Sequence, residues 1–158
     1  MQKTDPLGEA VSRFGATLKP KFSGIAATGS PEDQLRGPLD RLVQDIVAAL
    51  GWAANVVLVG ESSVHDLKTR PDFAVTKQNL LAGFIEVKAP GKGADPRRFA
   101  DQHDKEQWQK LKLLPNLVYT DGNSFSLWRH GELVGPVVTL TGDVESSGKS
   151  LAAPNELL

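Results

Sequence analysis

Arg70-Pro71-Asp72-Phe73-Ala74-Val75 and Gly83-Phe84-Ile85-Glu86-Val87-Lys88 are the two segments whose reading decides the fold. Both are rich in β-branched and aromatic residues that alternate with others, the pattern of strands. Between them, Gln78-Asn79 is suited to a tight turn. Side chains at i and i+2 share one face of a strand, so Glu86 and Lys88 point the same way and Val87 the opposite way. A hairpin centred between Asn79 and Leu80 sets Asp72 across from Val87, beside Glu86 and Lys88. Two carboxylates and an ammonium then crowd one small patch. Like charges at that range repel, and a cation shared between them removes the cost.

Outward from the hairpin, the chain reads as alternating helices and strands. Asp5-Pro6 opens a helix with Leu7, Val11, Phe14 and Leu18 on one stripe. Residues 19–29 read as a connection. Ser30-Pro31 starts a second helix with Leu35, Leu39, Leu42, Ile46 and Leu50 on one face, and Gly37-Pro38 predicts a kink or a split within it. Asn55 to Val59 reads as the first core strand. Beyond Lys88, Pro90 ends the strand, and the glycine-rich loop after it carries Lys92, Arg97 and Arg98, cations suited to phosphate contact. Gly91-Lys92-Gly93 lacks the third glycine of a dinucleotide fingerprint. Asp104 is taken as the cap of a helix reaching Leu114, with Trp108 and Leu111 on its buried side. Asn116 to Thr120 is a strand, and Ser124 to Arg129 and Glu132 to Leu140 pair through Arg129-His130-Gly131. Trp128 reads as core and His130 as a turn residue. His65-Asp66 is either a metal or acid–base pair or a polar loop. Ser146-Ser147-Gly148-Lys149-Ser150 is not a P-loop, since its leading glycine is out of place and only eight residues follow.

A pair of hard oxygen ligands beside a lysine is what magnesium-dependent phosphodiester cleavage requires. Pro71-Asp72 followed by Glu86-Val87-Lys88 resembles the signature of the PD-(D/E)xK, or restriction-endonuclease-like, nuclease superfamily, with Asp72 and Glu86 fourteen positions apart. That resemblance implies an α/β fold with an αβββαβ core, a mixed central sheet flanked by helices, here with an extra C-terminal hairpin. It implies Mg²⁺, with Mn²⁺ substituting, bound by Asp72, Glu86 and the Val87 carbonyl, and Lys88 assisting the attacking water. Relatives often add an acidic residue from the helix before the hairpin. Glu32 is the first candidate and Asp40 the second, although Glu32 also suits the helix dipole. Some branches place a glutamine on the helix after Glu-x-Lys. Gln107 fits that place, with Gln102 as the substitute, and Leu111 stands where those branches carry tyrosine. The fullest likeness is to the N-terminal nuclease domain of single-polypeptide restriction–modification enzymes. It implies DNA as partner, and methyltransferase and target-recognition domains covalently attached in a longer protein.

The chain divides accordingly into residues 1–29, an N-terminal helix and connection; 30–141, the nuclease domain; and 142–158, a linker or tail of Ser/Gly/Lys/Ala/Pro composition. Absence of cysteine excludes disulfides and thiolate chemistry and suits the cytoplasm. The formal net charge of −1 is unlike the basic excess of a stand-alone DNA-binding domain, although Lys88 to Lys112 is locally richer in cations. Two other readings stay open at this level: a non-catalytic DNA-binding or interaction module of the same fold, and a nuclease acting on RNA or single-stranded ends.

Overall fold

The computed structural model describes residues 5–23, 30–52, 55–60 and 69–141. His65-Asp66, the Ser146–Ser150 segment and the tail 142–158 lie outside the described residues. Two helices, α1 (Pro6–Ser23) and α2 (Pro31–Ala49), precede strands β1 (Val56–Gly60), β2 (Phe73–Lys77) and β3 (Leu80–Val87). A single 3-10 turn (Pro96–Arg98) leads to α3 (Gln102–Leu111), then β4 (Leu117–Thr120), β5 (Ser124–Arg129) and β6 (Glu132–Thr139). This is the αβββαβ order with a C-terminal hairpin. The strands form one six-stranded sheet in sequence order. Among the described strands only β3 and β4 run parallel. That is the pair joined by a helix, as a parallel crossover demands.

Helices cover both faces of the sheet. On one face α1 and α2 bury Phe14, Leu18, Leu35 and Leu39 against Phe73, Ile85 and Val87. On the other, α3 brings Trp108 and Leu111 on to Phe84, Leu117, Tyr119 and Trp128. Successive β3 residues alternate between the two cores, so Glu86 and Lys88 fall on the α3 face. Trp128 is fully buried, with its ring centroid 4.8 Å from that of Trp108. Its indole N–H is matched by the Ser126 hydroxyl at 2.7 Å, as a buried indole requires.

The turn chemistry follows the sequence. Gln78 and Asn79 adopt φ of 52° and 62°, and His130 and Gly131 φ of 49° and 84°. Both are two-residue turns whose twist matches that of antiparallel strands. Ser30 caps α2 by accepting from the Asp33 N–H.

Several expectations need correction. The β2–β3 turn centres on Gln78-Asn79, and the register shifts once near Val75/Thr76, giving Phe73↔Ile85. Continued by one residue, that register sets Asp72 opposite Glu86, not Val87. Helix α1 continues through Pro20 to Ser23, past the predicted end. Helix α2 is one helix through Gly37-Pro38 and is not split in two, because Pro38 is buried on the same face as Leu35, Leu39 and Leu42 and that packing outweighs one missing hydrogen bond. Strand β1 is the first strand of the core sheet and lies at its edge, with Val56 buried and Val57 and Val59 exposed. Asp101, not Asp104, caps α3, which ends at Leu111. Among the described residues no helix is long and apolar enough to cross a membrane.

Candidate active site

At the C-terminal end of β3 a pocket of about 410 Å³ opens between α2, the start of β2 and the first turns of α3. Glu32, Asp72, Glu86, Val87, Lys88, Lys92 and Gln107 all line it. The sequence therefore brings seven of its nine site candidates into one place. Arg36, Arg70, Asp101, His103 and Asp104 complete the lining.

Asp72 directly precedes β2, after the fully buried Pro71. Its Oδ2 accepts from the Val87 N–H at 2.7 Å. Its Oδ1 forms an ion pair with the Arg36 Nη2 from α2. Glu86 is almost wholly buried, and its Oε1 accepts from the Lys88 ammonium at 3.0 Å. Glu86 Oε2 is buried without a well-formed hydrogen bond among the described residues. Burial raises the Glu86 carboxyl to about 7. Lys88 opposes that shift and the Asp72 charge adds to it.

Lys88 is as buried as Glu86 and is held by three acceptors: Glu86 Oε1 at 3.0 Å, Asp104 Oδ1 at 2.9 Å and Gln107 Oε1 at 2.6 Å. An ammonium has three protons to give, and all three find partners. Burial alone disfavours its charge, but Glu86 and Asp104 outweigh burial and hold its pKa above the usual lysine value. Asp104 is likewise pushed up by burial and more than restored by Lys92 and Lys88, so its carboxyl lies below the ordinary range. Lys92 ion-pairs with Asp104 Oδ2.

Glu32 faces the pocket, where its Oε1 accepts from the Ala89 N–H at 3.2 Å. Gln102 turns away, bonding Glu106 at 2.9 Å, and Asp40 does not line the pocket. Arg97 and Arg98 lie outside it, in a neighbouring groove that shares Lys92. Arg97 is braced by both oxygens of Asp95, at 2.9 and 2.8 Å, and lies 5.0 Å from the Trp128 ring centre. Arg98 is exposed, with Asp95 at 3.6 Å.

The sequence reading missed Arg36, Asp104 and Tyr119. Arg36 follows Glu32 by four positions and Asp104 precedes Gln107 by three. Residues so spaced share a helix face, and that spacing was the available signal. Tyr119 pairs with Glu86 in the parallel β3–β4 register and is fully buried, its hydroxyl unbonded among the described residues. Burial, then the Glu86 and Asp104 charges, raise its pKa.

Among the described residues no group of three or more Asp, Glu or His side chains is placed to hold a metal. The donor set is instead a pair of carboxylates, one with an unmatched buried oxygen. That oxygen and the Asp72–Glu86 repulsion suit a hard divalent cation with open positions for water.

No protein-family profile matches this chain, and no curated protein does. Its fold is similar to that of a chain in a DrdV–DNA complex determined by cryo-electron microscopy. Identity is 21%, the TM-score is 0.56, and the match covers 90% of this chain and 13% of that chain. At this identity the likeness establishes the fold.

Proposed function

We propose that this chain is a Mg²⁺-dependent DNA endonuclease domain, the cleavage module of a larger restriction–modification polypeptide. The observation that carries the reading is the meeting of Asp72, Glu86 and Lys88 in one polar pocket, with a buried Glu86 oxygen that has no well-formed hydrogen bond among the described residues. The fold likeness to a chain in a DNA complex supports DNA as the partner.

Asp72, Glu86 and the Val87 carbonyl would hold Mg²⁺, with Glu32 at the pocket rim. When bound, the metal supplies a more acidic water and offsets charge on the phosphoryl group. Lys88 is the group beside the reacting phosphate that stabilises developing negative charge. Three acceptors fix its ammonium in place, so it acts as a cation and not as a base. Asp104 and Gln107 position it. Lys92, Arg97 and Arg98 contact flanking phosphates and set register without reading sequence.

The test is nicking of supercoiled plasmid in Mg²⁺ by wild type, Asp72→Asn and Lys88→Met, with melting temperatures recorded alongside. Loss of Mg²⁺-dependent nicking in both folded variants is expected. Undiminished cleavage by Asp72→Asn would overturn the assignment. Parallel digests of linear duplex, single strands and RNA decide the substrate class.

A second reading is a non-catalytic DNA-binding module. It is favoured by the Arg36 guanidinium on Asp72, which already neutralises one proposed ligand. Absence of Mn²⁺ or Mg²⁺ binding, with or without DNA, would support it.

A further inference from the structure

Among the described residues, Arg36 lies within reach of two carboxylates, Asp72 and Asp33. Its Nη2 pairs with Asp72 Oδ1 inside the pocket, while its Nε lies 3.7 Å from Asp33 Oδ1, one helical turn back on α2 and well exposed. Asp72 Oδ2 is committed to the Val87 N–H. The oxygen that Arg36 engages is therefore the one left for a cation. A guanidinium and a divalent ion cannot share one carboxylate oxygen in a half-buried site without strong mutual repulsion. Arg36 is about a third exposed and lines the pocket. Asp33 offers a second seat at i−3 on the same helix.

We infer that Arg36 is a positioning residue that competes with the divalent cation for Asp72, and that metal binding transfers its guanidinium to Asp33. The inference rests on the metal-dependent reading above and adds a residue that sets metal affinity. Arg36 holds the Asp72 carboxylate oriented and neutralised, and so weakens metal binding while keeping two acidic groups close together. Asp33 does the reverse, because it stabilises the displaced arginine. The two residues act on the metal with opposite signs although neither ligates it.

Isothermal titration of Mn²⁺ into the full chain without DNA tests this, using wild type, Asp72→Asn, Arg36→Gln, Asp33→Asn and the Asp33→Asn/Arg36→Gln double variant. Arg36→Gln is expected to bind Mn²⁺ about tenfold tighter, and Asp33→Asn about threefold weaker. Adding Asp33→Asn to Arg36→Gln should change nothing further. A merely structural arginine would not tighten metal binding on removal. Arg36→Gln affinity equal to or weaker than wild type overturns the inference. So does an equal Asp33→Asn effect in both backgrounds, which would report through-space charge alone. If Arg36→Gln does not fold, Arg36→Lys, which keeps the charge and loses the fork, should bind Mn²⁺ severalfold tighter, and failure to do so overturns the inference too. Binding that requires Asp72 but ignores Arg36 sinks this inference alone. Binding indifferent to Asp72, or none in any variant, sinks the metal-site reading with it.

Discussion

Glu86→Gln should stabilise this protein by several kcal/mol at pH 8 in the absence of divalent ions and by less than about 1 kcal/mol at pH 5. The Glu86 carboxyl is raised from 4.5 to about 7, chiefly by burial. A group whose folded pKa lies above its unfolded value binds more protons when folded between those limits. Its contribution is therefore fully present below pH 4.5 and lost as pH rises through 7. Glutamine is nearly isosteric with the protonated acid and cannot ionise. At pH 5 the folded carboxyl is still protonated, and only ionisation of the unfolded chain, worth less than about 1 kcal/mol, separates the two side chains. At pH 8 the wild type must hold a buried carboxylate whose Oε2 lacks a well-formed hydrogen bond among the described residues. The shift from 4.5 to about 7 corresponds to about 3 kcal/mol. For a domain of this size that is roughly 6–10 °C in melting temperature. Thermal unfolding followed by circular dichroism at both pH values, in EDTA, reads it directly. Saturating Mg²⁺ at pH 8 should raise the wild-type melting temperature and leave the variant where it was. A difference of the same size at pH 5 and pH 8, or a variant less stable at pH 8, would refute the argument from burial.

Lys88→Ala should cost about 3–5 kcal/mol at neutral pH, because it leaves the buried Glu86 without its cation and takes from Asp104 one of its two ammonium partners; urea denaturation without metal checks this, and a loss below 1 kcal/mol would contradict the burial of that group. Asp104→Asn should lower nicking at saturating Mg²⁺ by at least about tenfold while leaving the Mn²⁺ dissociation constant within threefold, since Asp104 acts through Lys88 and Lys92. Asn79→Gly should stabilise by about 0.5–1 kcal/mol, as Asn79 holds a left-handed φ of 62° in a two-residue turn; destabilisation in a denaturant series would contradict the turn. Duplex binding in Ca²⁺ should fall steeply with salt, and Lys92→Ala should reduce the log–log slope by about 1.

The helices, the hairpins and the Asp72–Glu86–Lys88 cluster were legible in the sequence because each rests on local chemistry. Strand alternation alone puts Glu86 and Lys88 on one face, and a dipeptide such as Gln78-Asn79 accepts the backbone of a tight turn whatever surrounds it. Ser30-Pro31 starts α2 for reasons confined to one helical turn. Asp72 was misplaced by one residue because the turn centres on Gln78-Asn79 and not on Asn79-Leu80; that alone moves the pairing by two, and the irregularity near Val75/Thr76 returns one. Gly37-Pro38 read as a break because propensity counts the missing hydrogen bond and cannot count the burial of Pro38 against α1. Asp104 read as a cap because its place in the first turn satisfies that rule, while Asp101 holds the role and frees Asp104 to reach Lys88.

What the linear chain determined is the kind of chemistry on offer: two acids and an amine brought together by a period of two and a short turn. Only the packed molecule decided what surrounds them. Helix α3 docks through Trp108 and delivers Asp104 and Gln107 to Lys88, and α2 docks across the other face and delivers Arg36 to Asp72. Those contacts join residues from 16 to 36 positions apart. They depend on how two amphipathic helices settle against one sheet, which is set by the whole core and by no stretch of it alone.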